Sequence, residues 1–233
     1  MNKSVAQAVE ERLVQVPAGS VTLEGNLSLP KESRAIVLFA HGSGSSRHSP
    51  RNRYVARLLN EAKLATLLVD LLTLDEEVID ARTAKLRFDI ELLAERLVAA
   101  TDWLAKFPDT QQFRIGYFGA STGAAAALVA AAVRLDVVRA VVSRGGRPDL
   151  AGTALMHVRA PTLLIVGGDD VQVIELNRAA LAQLRCQKQL VIVPGATYLF
   201  EEPGALDEVA RLAREWFHRH LIPVVPHATG DSK

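Results

Sequence analysis

The sequence predicts an α/β architecture, a mostly parallel sheet with helices on both faces, on three observations. Short, continuously apolar runs of strand length recur along the chain. Helical patterns separate them, so each strand returns through a crossover, which favours parallel neighbours. The first two strand-like segments instead alternate apolar and polar residues, as a half-exposed antiparallel pair does.

Taken in order, that pair is "RLVQVPAG" and "VTLEGNLSLP". The continuous runs follow: "AIVLFAHG" (35–42), "ATLLVDLL" (65–72), "RIGYFGAS" (114–121), "AVVSRGG" (140–146), "TLLIVGG" (162–168) and "LVIVPG" (190–195). A strand covered on both faces has no polar side, so it reads as an unbroken apolar run. Helices are expected over Arg51 to Ala62, Ala84 to Phe107, Thr122 to Arg134, Val173 to Leu184 and Ala205 to Leu221. No repeat, low-complexity tract or linker interrupts this order, so residues 1–233 read as one domain. The tail "PVVPHATGDSK" has the composition of a flexible terminus.

Composition narrows the function. The net charge is +1 and 23% of residues are charged, which speaks against nucleic acid or a membrane surface as main partner. The start, "MNKSVAQAVEERL", lacks the apolar core of a signal peptide. The most membrane-like run, "AALVAAAV" (126–133), is far short of the ~20 residues that span a bilayer. Cys186 is the single cysteine, which excludes an internal disulfide and suits a cytoplasmic protein. The histidines are scattered rather than spaced as ligands, and no Gly-x-x-x-x-Gly-Lys loop occurs. No metal or other cofactor is expected.

Ligands of such sheets bind beyond the carboxyl ends of the strands, and three exits there are unusual. In "YFGASTGAAAALVAAA" a strand runs through Gly119-Ala120-Ser121-Thr122-Gly123 into an Ala-rich helix. Small residues around Ser121 permit a sharp turn that lifts its hydroxyl above the sheet, and the N–H groups opening the helix can stabilise an oxyanion. A tight turn with a solvated serine is the plainer alternative, but strand before and helix after favour a nucleophile. In "LFAHGSGSSRHSPRN" a strand ends at His41-Gly42-Ser43-Gly44, a flexible backbone suited to donate a second oxyanion N–H. In "LLIVGGDDVQVIELN", Asp169 and Asp170 leave a strand just before a helix. Either is an ordinary N-cap or the acid that orients a base.

On these stretches, and on "DARTAKLRFDIELL", "VSRGGRPDLAG" and "PGATYLFEEPGAL", the chain resembles an α/β-hydrolase of the dienelactone-hydrolase-like group over nearly its whole length. The resemblance implies Ser121 as nucleophile, an oxyanion hole from the N–H groups of Thr122 and Ser43, and Asp170 as the acid. Asp169 is second choice for the acid and Asp149 third. The chain departs from this family in two ways. Dienelactone hydrolases use a cysteine nucleophile, and the serine here points instead to ordinary esters. In "PGATYLFEEPG" the family pattern carries histidine where this chain has Tyr198.

No other histidine is well placed to replace it. His218 and His220 lie roughly 20 Å or more along the last helix, towards the wrong edge of the sheet. His157 precedes its strand, and His227 is in the tail. His41 and His48 follow a strand on the correct side, but His41 suits shaping the oxyanion loop and His48 a loop hydrogen bond. A free phenol titrates near 10, so tyrosine is a poor proton acceptor at neutral pH unless a cation adjoins it. Lys188, the nearest lysine in sequence, is expected at the opposite edge. The resemblance therefore implies a serine hydrolase of small carboxylic esters, working through an acyl-enzyme and impaired at its base. Two alternatives stay open: a ligand-binding homologue without turnover, and an acyltransferase using the same site. Neither the substrate nor the oligomeric state is legible.

Overall fold

The computed structural model describes residues 9–223. The predicted loose tail falls almost wholly outside them, as does His227. Eight strands form one sheet in the order β1-β2-β4-β3-β5-β6-β7-β8. β1 (Glu11–Ala18) and β2 (Val21–Ser28) form the expected antiparallel hairpin, and β2 runs antiparallel to β4 (Ala65–Val69). From β4 onward, through β3 (Ala35–Ala40), β5 (Arg114–Ala120), β6 (Val138–Arg144), β7 (Thr162–Gly167) and β8 (Lys188–Val193), every pairing is parallel.

Period two decides which core each strand residue enters. In β3, Ile36, Leu38 and Ala40 face one apolar cluster, while Ala35, Val37 and Phe39 face the other. Helices α1 (Pro50–Glu61) and α6 (Ala205–Leu221) seal the second cluster. Helices α3 (Ile90–Leu104), α4 (Thr122–Val133) and α5 (Val171–Gln183) contribute to the first. α4 carries alanines where other helices carry larger residues. Ala124 to Leu128 are all fully buried, because small side chains let this helix lie close under α3 and against the sheet.

The continuous helix expected over Ala84 to Phe107 is not formed. Ala84 takes a left-handed conformation, a short 3-10 turn covers Leu86–Phe88, and α3 starts only after Asp89, whose carboxylate accepts the Leu92 N–H. A helix absent from the sequence-based expectation, α2 (Leu74–Thr83), precedes it. Thr73 and Glu76 start it with a reciprocal capping box. A 3-10 segment, Pro148–His157, links β6 to β7. The α2 and Pro148–His157 segments flank the carboxyl edge and shape the ground around Ser121.

Candidate active site

Ser121 stands between β5 and α4 with φ 52° and ψ −126°. A non-glycine residue held there costs on the order of 1–3 kcal/mol, so the surroundings must enforce it. They do so by close backbone approach. A Cβ on Gly123 would lie 2.2 Å from the Ala40 carbonyl oxygen, and one on Gly42 would lie 2.7 Å from the Ser121 Cβ. Only glycine lets the β3 exit and the start of α4 meet at this distance. The Ser121 carbonyl accepts the N–H groups of Ala124 and Arg147, both at 3.1 Å, which fastens the turn to its own helix and to the β6 exit.

The two residues expected to donate to an oxyanion are brought together. The Ser43 and Thr122 hydroxyls are 3.1 Å apart, and Ser43 Oγ also donates to the Arg87 carbonyl. Beside them opens a cavity of about 320 Å³, lined by the 41–46 loop, Leu72, Leu93, Thr122 and the α2 residues Glu77, Asp80 and Ala81. Burial pushes the Glu77 carboxyl above its ordinary value, helped by the charge of Asp70. Burial also acts to raise Asp80, but the Arg87 N–H and guanidinium outweigh it and hold Asp80 below the usual range.

His41 is built into the scaffold. Its Nε2 accepts the Leu71 N–H at 3.0 Å, which leaves the proton on Nδ1 to be donated to the Gly42 carbonyl, also at 3.0 Å. Burial depresses its pKa. The exposed His48 uses its backbone N–H on Ser46. His218 contacts the Ala62 carbonyl, and His220 lies against Trp216 with the rings tilted by 59°. Among the described residues, no histidine hydrogen-bonds Ser121.

Tyr198 sits half-buried in the turn after β8. Its turn is pressed onto the β7 exit: a Cβ on Gly167 would meet the Thr197 carbonyl at 2.6 Å. The exposed Asp169 assists by donating its N–H to the Ala196 carbonyl. The half-buried Asp170 occupies the N-cap position of α5 without capping it, and its carboxylate makes no hydrogen bond to Tyr198 among the described residues. Asp149 is taken by a bidentate pair with Arg147. Lys188 is at the far edge, bonded to the carbonyls of Leu181 and Leu184.

Two arginines near the Tyr198 turn went unnoticed in the sequence. Arg144 and Arg147, from "SRGGRPDL", lie close enough for the Tyr198 phenol to act on both electrostatically. The only signal was a pair of arginines at a strand exit, which says nothing about what they face. Among the described residues no cluster of three His, Cys, Asp or Glu is placed to hold a metal, and no helix is long and apolar enough to cross a membrane.

The dienelactone hydrolase family model matches residues 28–221. The crystal structure of a dienelactone hydrolase from Anabaena variabilis superposes with a TM-score of 0.90 at 65% identity, covering 91% of this chain and 99% of that one. Est1E from Butyrivibrio proteoclasticus superposes at 0.74 with 19% identity over 89% and 98% of the two chains, a likeness of fold alone. A protein of Mycobacterium tuberculosis H37Rv named "Putative phosphoribosyl transferase" is 62% identical over 208 residues. Those residues are 89% of this chain and 46% of that protein, so the chain spans about half the length of this relative.

Proposed function

The chain belongs to the dienelactone hydrolase family and has the α/β-hydrolase fold, and we propose that it is a serine hydrolase of small carboxylic esters, impaired by Tyr198. One observation carries the reading: a serine held at positive φ between a buried strand and a helix, with glycine contacts too close for any other residue. In this reading Ser121 Oγ attacks the ester carbonyl, and the Thr122 and Ser43 N–H groups stabilise the oxyanion. Loss of the alcohol leaves an acyl-enzyme that water then cleaves. Asp170 is the acid and Tyr198 fills the place of the base. In this reading Tyr198 stays neutral despite the nearby Arg144 and Arg147, and a neutral phenol accepts the serine proton poorly near pH 7, so both half-reactions are slow. The phosphoribosyl transfer in the Mycobacterium relative's name is not carried over to a chain covering 46% of that protein.

Covalent labelling tests the proposal. An aryl fluorophosphonate should modify Ser121 alone, slowly, as located by peptide mass spectrometry, and Tyr198→His should accelerate it. A label on another serine, or none in either protein, would refute Ser121 as nucleophile. The absence of a histidine hydrogen bond to Ser121 among the described residues favours a second reading, a pocket that binds a ligand without turnover. Tight binding of a metabolite with no labelling in either protein is its expected signature. Transfer of the acyl group to an acceptor other than water is separated from hydrolysis by product analysis.

A further inference from the structure

Arg144, the last residue of β6, is 6% exposed, and no carboxylate forms an ion pair with it among the described residues. Of its N–H donors one, on Nη2, is used, reaching Asn52 Oδ1 at 3.3 Å, while Nε is buried with no partner. A guanidinium is seldom buried so, because removing its water without supplying an acceptor is costly. The surroundings add to the cost. Asn52 sits in the first turn of α1, where the helix dipole is positive. Arg51 is close enough to repel Arg144, and its own Nε is also buried and unpartnered, although Nη1 reaches the exposed Glu201. The guanidinium carbon lies 5.9 Å from the centre of the Phe200 ring, a cation–π contact that relieves part of the charge without accepting a hydrogen bond. Burial first, then Arg51, push Arg144 down to about 10, so it stays charged at neutral pH.

The place is as telling as the charge. Arg144 pairs in register with Ala120, the residue before Ser121, one strand spacing of ~4.8 Å away. Its guanidinium thus lies at the carboxyl edge, between the start of α1 and the Tyr198–Phe200 turn. We infer that Arg144, with Asn52 and Arg51, forms a binding subsite for an oxyanion group, a carboxylate or a phosphate, beside Ser121. The anion would accept from the free N–H donors of Arg144 and meet the positive end of α1. Arg144, Asn52 and Arg51 are not among the residues lining the cavity beside Ser43 and Thr122, so the subsite holds whether or not Ser121 turns a substrate over.

Thermal unfolding of the intact protein tests it, with inorganic phosphate and acetate each compared with sodium chloride at equal ionic strength. At about ten times its dissociation constant, a ligand of the native state raises Tm by roughly 3–6 °C in a chain of this size. One of the two anions should do so, and which one names the group. Arg144→Met should abolish the rise without lowering Tm in chloride, because it removes a buried charge that lacks a partner. Asn52→Asp, which supplies a carboxylate of the same shape beside Nη2, should also abolish it, with Tm in chloride raised. Asn52→Asp decides the matter if Arg144→Met does not fold. The inference is overturned if neither anion raises Tm above chloride, or if the rise survives either substitution. It is equally overturned if a folded Arg144→Met is several degrees less stable in chloride, which would make Arg144 a structural strut.

Discussion

Two ring side chains at the carboxyl edge of the sheet, His41 and Tyr198, show how burial and hydrogen bonding divide labour there. His41 is 7% exposed and holds two backbone groups in one tautomer, so it cannot pick up a proton without releasing the Leu71 N–H. Its folded pKa is depressed, whereas the unfolded ring titrates at its ordinary value of 6.5. Below that value the unfolded chain binds the proton and the native state does not, so stability falls as pH drops, by up to about 1.4 kcal/mol per pH unit. Urea unfolding at pH 7 and pH 5 should show this loss, and His41→Asn should be less stable at pH 7 but flatter between the two. An unchanged pH slope in His41→Asn would mean the ring is not held neutral. The Tyr198 side chain, by contrast, makes no hydrogen bond among the described residues.

Among the elements, those that touch both cores were legible and those that touch neither were not. Strands β3 to β7 read as apolar runs because they are interior and helices cover both their faces. β8 reads the same but is an edge strand with several exposed residues, so its expected two-sided cover is not found. The start of α4 was legible for another reason: strand, small-residue turn and Ala-rich helix follow one another without a break in the sequence. α2 escaped because its apolar residues are not a buried stripe. Leu74 is 71%, Val78 60% and Ile79 47% exposed, and Asp80 is its buried side chain. It is held instead by its capping box and by the Asp80–Arg87 pair, local chemistry without apolar periodicity. Thr73→Ala should accordingly cost about 1 kcal/mol, measured by urea unfolding. The Ser121 turn should tolerate far less. Gly123→Ala puts a methyl 2.2 Å from the Ala40 carbonyl, which should cost about 1–3 kcal/mol or more and abolish labelling of Ser121. Full stability and full labelling in Gly123→Ala would show that the turn relaxes freely. What the sequence did not disclose, the burial of Arg144 without an ion pair among the described residues, depends on three segments far apart in the chain: α1, β6 and the 198–200 turn.

The eight-stranded sheet, its two apolar cores and the 65% identical Anabaena structure agree on one α/β-hydrolase scaffold. The turn after β8 is docked on β7 by the Ala196 and Thr197 carbonyls regardless of what residue 198 is, so a ring of another kind fits there without refolding the chain. The central claim is therefore that the scaffold is that of a serine hydrolase and that one side chain limits it. The most direct measurement is hydrolysis of p-nitrophenyl acetate by the chain as it stands, by Tyr198→His and by Tyr198→His with Ser121→Ala. A general base contributes typically 10²–10⁴-fold, so Tyr198→His should raise kcat/KM by at least about a hundred-fold, and the gain should vanish when Ser121 is removed. Fast hydrolysis by the chain as it stands, unchanged by Tyr198→His, would contradict the claim and place the base elsewhere, with His48 and His41 the next residues to substitute.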